Sequence, residues 1–231
     1  GGYGNLGGDL MVGDAQLAMN AGYRGKQANS AFFVATSFRN NISTQVTVAS
    51  FTPRAQLPFT TGAIRHSLVT GVDWDDWDFD QTASAFASHS LATQRDKAFY
   101  VQDTLSIGDA TVISIGGRAQ TTSYNLSEIV GGSSAVQQRN LHAYQIAGRR
   151  KLTDNWTLYG KFGTSFRLAN INDNFNLFTG AIALLEPQTS HDQEVGVELK
   201  KGPGWYRLAL YQIDTNNEIH LDPIAFNNIN L

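Results

Sequence analysis

Five aspartates are crowded into the short stretch of chain between Val72 and Asp80. Carboxylate oxygens are the ligands that hard cations such as Ca²⁺ prefer, so the run could form a cation site or a ferric-ligand site. Its spacing differs from that of an EF-hand loop, which needs a glycine at its sixth position and a closing glutamate. We favour another interpretation: the strand crosses a membrane interface, with Trp74, Trp77 and Phe79 in an aromatic girdle and the aspartates in water or a lumen.

Other residue types that commonly do chemistry form no recognisable motif. The sequence has 5 histidines, and none lies in an H-E-x-x-H spacing. It has no cysteine, which excludes a disulfide framework and a thiol nucleophile, and it has no G-x-S-x-G stretch. We therefore expect a protein that is not an enzyme, with no cofactor and no metal site.

The candidate ligand-contacting residues are charged side chains, most of them on strands in which polar residues recur at every second position. Arg118, Lys161 and Arg167 could line a path for an anionic solute. The alternative, which we favour, is that they pair with acidic side chains and hold a lumen together; the partners would be Asp192, Glu194 and Glu198. With Asp173, the residues Arg118, Lys161, Arg167 and Glu194 are the ligand-contacting or lumen-facing candidates.

Alternation of apolar and polar residues is the dominant pattern in the chain. It is clearest at 64–74, 111–122, 156–167 and 190–200, and successive side chains of a strand point to opposite faces. Weaker alternation occurs at 14–23, 28–38, 44–51, 94–107, 141–151 and 205–215. The pattern predicts an all-β fold: an antiparallel up-and-down meander of about ten strands, each about ten residues long, as part of a transmembrane β-barrel.

The connections alternate in length, as they do in outer-membrane barrels. Short turns are predicted at 108–109, 153–155 and 201–204, and long polar loops at 81–90, 127–137 and 168–188. Residues 1–10 and 170–178 are also predicted to be loop. We expect loops to carry ligand specificity, so the three long loops are the candidate ligand-contacting segments.

Composition limits the class of protein further. Charged residues make up 16% of the chain and the net charge is −3, which argues against a nucleic-acid partner. The chain starts without methionine and ends within the alternating pattern. We therefore expect residues 1–231 to be one partial barrel domain of a longer protein.

Two motifs resemble those of TonB-dependent outer-membrane receptors. They are SFRLANINDN from Ser165 and LEPQTSHDQEVGVE from Leu185, in the family's order and at its spacing. Weaker matches begin at Gly62, Ala98 and Tyr211, so the resemblance covers about two-thirds of the chain. One departure is Ala169, where the family usually has proline.

The resemblance implies a segment of a 22-stranded barrel in the outer membrane of a Gram-negative bacterium. It implies uptake of a ferric siderophore, haem or similar iron complex, with a plug domain and TonB as partners in the full-length protein. The sequence shows no plug domain and lacks the aromatic residue that ends the family's last strand. A porin or adhesin barrel and a soluble all-β ligand-binding module remain alternatives. Open strand edges would allow the isolated piece to self-associate.

Overall fold

The computed structural model describes residues 1–35, 38–85, 87–176, 179–225 and 227–231. Ten strands form one antiparallel sheet in the order β1 to β10, so each strand pairs with the next along the chain. They are β1 Gly2–Val12, β2 Ala15–Ala35, β3 Phe38–Thr61, β4 Ile64–Ala83, β5 Ser88–Ile107, β6 Thr111–Glu128, β7 Ser133–Lys151, β8 Trp156–Arg167, β9 Gln188–Lys201 and β10 Gly204–Asn216. The predicted up-and-down meander is confirmed.

Two further strands, β11 Ile219–Asp222 and β12 Asn227–Asn230, form a separate hairpin. A 3₁₀ turn over Ile171–Asn174 lies in the long connection between β8 and β9. Among the described residues, no helix is long and apolar enough to cross a membrane.

Short turns join the strands at one edge of the sheet, which we call the short-turn end. They lie at 13–14, 62–63, 108–110, 152–155 and 202–203, so the three turns predicted there are confirmed. Gly108 and Gly202 have φ values of 57° and 58°, a left-handed conformation that glycine adopts without steric cost. The connections at the opposite edge, the loop end, lie at 84–87, 129–132 and 168–187, and a further one joins β2 to β3.

Several predicted strand boundaries are wrong. At the loop end, the boundaries predicted for β4 to β7 make these strands shorter than they are. The loops predicted at 81–90 and 127–137 shrink to 84–87 and 129–132, because β4 to β7 continue past the predicted ends. The predicted strands 14–23 and 28–38 merge into one strand, β2, up to Ala35; residues 36–37 lie outside the described residues, and Phe38 begins β3. Residues 2–10, predicted to be loop, belong to β1.

The ten strands of the main sheet are 11 to 24 residues long, and six of them, β2 to β7, exceed the predicted length of about ten by eight residues or more. The prediction of loop over 170–178 is also wrong at the 3₁₀ turn; residues 177–178 lie outside the described residues.

The register gives the sheet two distinct faces. On the apolar face, Val72 and Trp74 of β4 lie beside Phe99 and Val101 of β5, and Ile115 of β6 follows. The other face, which we call the polar face, carries the side chains that alternate with these, among them Asp73, Asp96, Arg118 and Lys161. In a barrel, the apolar face meets lipid and the polar face lines the lumen.

Candidate functional site

A small hydrophobic core lies on the polar face near the loop end of the sheet. Phe79, Tyr124 and Leu126 project from β4 and β6, and Ile171 and Phe175 of the β8–β9 connection pack against them. Phe79 and Phe175 are stacked, with their ring centroids 6.0 Å apart. This core fixes the β8–β9 connection against the wall at Ile171 and Phe175.

Tyr124 connects this core to the start of the β8–β9 connection. Its phenol donates a hydrogen bond of 3.3 Å to the carbonyl of Ala169. Burial, with a smaller contribution from the charges of Asp96 and Asp173, raises the pKa of Tyr124 well above its usual value. The phenol therefore remains a hydrogen-bond donor at any physiological pH.

Polar contacts complete the anchoring of the β8–β9 connection. The Asp173 carboxylate accepts hydrogen bonds of 2.9 Å from the backbone and the side chain of Asn170, which closes the 3₁₀ turn. Gly180 packs so closely on β6 that a Cβ atom there would lie 2.9 Å from Cγ of Glu128. An ion pair between Arg139 and Glu186 ties the connection to β7.

The β11–β12 hairpin is attached to the same connection by asparagine side chains. Asn230 accepts a 2.8 Å hydrogen bond from the backbone N–H of Glu186 and donates one of 3.0 Å to its carbonyl. Asn176 donates to the carbonyl of Ala225 at 2.8 Å. These contacts join the hairpin and the β8–β9 connection into one surface layer over the polar face.

A pocket of about 600 Å³ lies between this layer and the wall, and we call it the wall pocket. Its polar-face side chains include Arg24 and Lys26 of β2, Trp77 of β4 and Gln94 of β5. Its other boundary is formed by residues 168–172. The described lining holds two cationic groups and no carboxylate, so the pocket is electropositive and has an aromatic wall.

Arg24 and Lys26 are not among the residues predicted from the sequence, because Gly25 interrupts the apolar face of β2 at that point. The alternation of residues along β2 nevertheless indicates the face on which these two residues lie. Both residues share the parity of Asn20 and Gly22, which lie on the polar face opposite Thr52 and Ser50. Continuing that parity through Gly25 would have placed both basic residues on the polar face.

Three of the five predicted residues lie on the polar face in ion pairs. Arg118 is 2.5 Å from Asp73 and also donates to Gln120. The Lys161 ammonium lies 3.1 Å from Asp192 and 3.8 Å from Glu194, and Glu194 also pairs with Arg207 at 2.7 Å. Glu198 pairs with Arg149 rather than with a predicted basic partner.

The other two predicted residues lie next to the wall pocket. Arg167 ends β8 immediately before the pocket residue Leu168, and its exposed side chain makes no ion pair with another described residue. Asp173 follows the pocket residue Asn172 and closes the 3₁₀ turn. Arg167 and Asp173 therefore flank lining residues of the pocket without lining it themselves, and Arg118, Lys161 and Glu194 are also outside its lining.

The aspartate run is divided between the two faces by the alternation of β4. Asp73 and Asp75 lie on the polar face, whereas Asp76, Asp78 and Asp80 lie on the apolar-face side. Within the described residues, no group of three or more His, Asp or Glu side chains is arranged to hold a metal ion. The five aspartate side chains therefore do not point to a common site.

The aromatic residues of this run are divided in the same way, which corrects part of the prediction. Trp74 lies on the apolar face beside Phe51, as a girdle residue should. Trp77 and Phe79 lie on the polar face, where Phe79 is only 4% exposed. Trp77 lies three positions after Trp74, an odd spacing, so the two side chains cannot share a face of a strand.

Comparison with known proteins identifies the family. Residues 2–231 match the model of the TonB dependent receptor-like β-barrel family. The chain belongs to this family. Its members are outer-membrane transporters of Gram-negative bacteria and not enzymes, which confirms the predicted family, location and non-enzymatic class.

Solved structures of the family share the fold. The siderophore receptor PiuA from Acinetobacter baumannii has a TM-score of 0.79 at 13% identity, over 99% of this chain and 42% of its own. The ferric citrate transporter FecA in its unliganded form has a TM-score of 0.76 at 17% identity, over 94% of this chain and 34% of its own. BauA, the ferric preacinetobactin receptor from Acinetobacter baumannii, has a TM-score of 0.69 at 17% identity, over 99% of this chain and 39% of its own. The chain thus spans well under half the length of these relatives.

Proposed function

We propose that residues 1–231 form part of the barrel wall of an outer-membrane receptor that takes up an anionic iron complex. In the full-length protein, a plug domain would close the lumen and TonB would supply the energy for release. Arrival of the complex at the loop end and its capture on the polar face are the steps to which this chain would contribute.

The observation that carries the proposal is the composition of the wall pocket. Arg24 and Lys26 contribute positive charge to a described lining that contains no carboxylate, and Trp77 supplies an aromatic surface. Ferric complexes with catecholate or carboxylate ligands are bulky anions, which suits a cationic pocket with an apolar wall. The solved relatives support an iron complex as cargo, since three of them are a ferric citrate transporter, a siderophore receptor and a ferric preacinetobactin receptor.

Arg167 and Asp173 extend this proposed site. Arg167 would add a third cation at the rim, where its guanidinium is exposed. Asp173 would act indirectly, by holding Asn170 and Asn172 in the 3₁₀ turn that bounds the pocket. Arg118, Lys161 and Glu194 would contribute to the lumen wall through their ion pairs.

The test measures binding of iron complexes to the full-length protein that contains this chain. Ferric citrate, a ferric catecholate, haem and a neutral ferric hydroxamate would be compared with the protein and with its Arg24→Gln/Lys26→Gln variant. We expect at least one anionic complex to bind saturably, and its Kd to rise about tenfold or more in the variant.

A matched control is Arg65→Gln, which removes a positive charge from the polar face at the short-turn end. It should leave all affinities unchanged. If the double variant binds every complex as tightly as the parent does, the wall pocket is not the cargo site. If no complex binds saturably, the receptor function itself is wrong.

A further inference from the structure

The loop-end border of the apolar face carries a cation next to an aromatic ring. Lys97 of β5 is the register partner of Trp74 of β4, and Thr121 of β6 is its partner on the other side. Lys97 is exposed, and its ammonium group makes no hydrogen bond or ion pair with any other described residue. Trp at a membrane face marks the headgroup level, so this ammonium lies where lipid phosphates lie.

Other charges near this position on the apolar-face side are already engaged. Asp76, two residues beyond Trp74, accepts a hydrogen bond from Arg95 at 3.3 Å. That carboxylate is therefore paired with Arg95 and not with Lys97. The Thr121 hydroxyl, in the same register row, donates to the side-chain oxygen of Asn140 at 2.9 Å, so of these two donors the Lys97 ammonium is the one that has no partner among the described residues.

A groove in the apolar face begins directly below this row. It has a volume of about 670 Å³, starts at Val72 and Phe99, and extends across β3 and β2 to Leu10 of β1. Pro53 in its floor cannot donate to the strand ladder, and the pairing of β3 with β4 is interrupted there. The small side chain of Ala55 keeps the floor low.

We propose that Lys97 and this groove bind one anionic, phosphate-bearing lipid of the outer leaflet. The phosphate would lie at the Lys97 ammonium, and an acyl chain would lie in the groove past Pro53 and Ala55. A cation alone would bind any anion, and an apolar groove alone would bind any acyl chain. Their continuity selects a molecule that has both parts. The proposal rests on the membrane location of the chain and is independent of the cargo.

The first experiment uses the full-length protein in phosphatidylcholine nanodiscs that contain lipid A, or lipid A from which the phosphates have been removed. Native mass spectrometry would measure how much lipid A remains bound. We expect Lys97→Gln to weaken retention of lipid A about fivefold, and removal of the phosphates to do the same to the parent protein. Equal retention by the parent and Lys97→Gln would overturn the proposal.

Lys201→Gln is the matched control. Lys201 is exposed on the same side of the sheet but at the short-turn end, on the far side of the apolar face. It should leave lipid A retention unchanged, and a loss equal to that of Lys97→Gln would show a nonspecific charge effect and overturn the proposal. Iron-complex binding should be unaffected in both variants, so this test fails or succeeds separately from that of the receptor function.

The groove is tested by Ala55→Phe, which fills its floor without changing charge. We expect a severalfold loss of lipid A retention. Inorganic phosphate, added at constant ionic strength, should displace the remaining lipid A from this variant as readily as it displaces lipid A from the parent. Retention as in the parent would show that no acyl chain occupies the groove, and the proposal would be wrong. Lys97→Gln, a substitution of one exposed polar side chain, keeps the test valid if Ala55→Phe fails to fold.

Discussion

The two halves of the long strands have opposite polarity. Near the short-turn end, Ile113 and Ile115 lie on the apolar face of β6, while Arg118 lies on the polar face. Near the loop end the outward positions become polar, with Thr121 and Ser123 on β6, and the inward positions become apolar, with Tyr124 and Leu126 in the buried core. The inversion occurs close to the row of Trp74.

This inversion shows that the polarity of a strand face reports the medium that it meets. Lipid outside and water inside give an apolar outer face and a polar inner face in the membrane half. Beyond the membrane, water is outside, and the β8–β9 connection covers part of the inner face and excludes water there. The same continuous strands therefore serve a membrane span and a small soluble-type core.

The largest expected effect is in the loop-end half, from removing the aromatic anchor of the β8–β9 connection. Phe175 is 2% exposed and stacks on Phe79, so Phe175→Ala should weaken docking of the connection by about 3–5 kcal/mol. The connection would detach while the strands remain paired. Limited proteolysis of the full-length protein should show new cleavage within residues 179–186.

Phe162→Ala is the control for this change. Phe162 is 42% exposed and lies on the apolar face of β8, away from the core. Its removal should not create a cleavage site in the β8–β9 connection. Equal proteolysis of the two variants would contradict the assignment of a separate core to the loop-end half.

The same inversion explains which features could be predicted from sequence. Alternation predicted strands where lipid imposes it, as in 156–167, which matches β8 in full. The same pattern did not predict the part of β6 beyond Thr122, and a loop was predicted at 127–137. The reason is that Ser123 and Asn125 face water, so the difference in polarity between the two faces disappears there. The strand count was right only because the missed β1 balanced the split of β2 into two.

The wall pocket could be predicted only in part. The motif near Arg167 located the β8–β9 connection and hence one side of the site. Its other side comes from β2, more than a hundred residues earlier in sequence. That distance is bridged by the register of successive hairpins, and no local pattern reports it.

A second prediction compares the two halves of the outward surface directly. Val195 lies on the apolar face of β9 beside Leu210 of β10, so Val195→Arg would place a charge deep in lipid. We expect it to lower the free energy of unfolding by about 2–4 kcal/mol, measured by urea titration of the full-length protein in lipid vesicles.

The matched change in the other half is Ser123→Arg, on the outward side of β6 beyond the inversion. It should cost less than about 1 kcal/mol, because its side chain meets water or headgroups. Equal losses in the two variants would show that the membrane boundary does not lie near Trp74.

The smallest expected effect concerns Glu128, at the loop end of β6. Burial would raise the pKa of this carboxyl, but hydrogen bonds from the backbone N–H groups of His89, Gly131 and Val130 outweigh burial and lower it. The folded-state pKa is depressed, so its stabilisation is present above the usual glutamate value and is lost as the pH falls through the lowered value.

Glu128→Gln should therefore speed amide hydrogen exchange at Val130 and Gly131 about tenfold or more at neutral pH, since bonds to a charged acceptor contribute about 1.5–3 kcal/mol. The difference from the parent should shrink below the lowered pKa, where the parent carboxyl is also neutral. Glu198→Gln, in an ion pair with Arg149 near the short-turn end, should leave these amides unchanged. If the Glu128→Gln difference persisted at acid pH, the carboxylate charge would not be what holds the 129–132 turn, and packing of Gly180 against the Glu128 side chain would be the remaining cause.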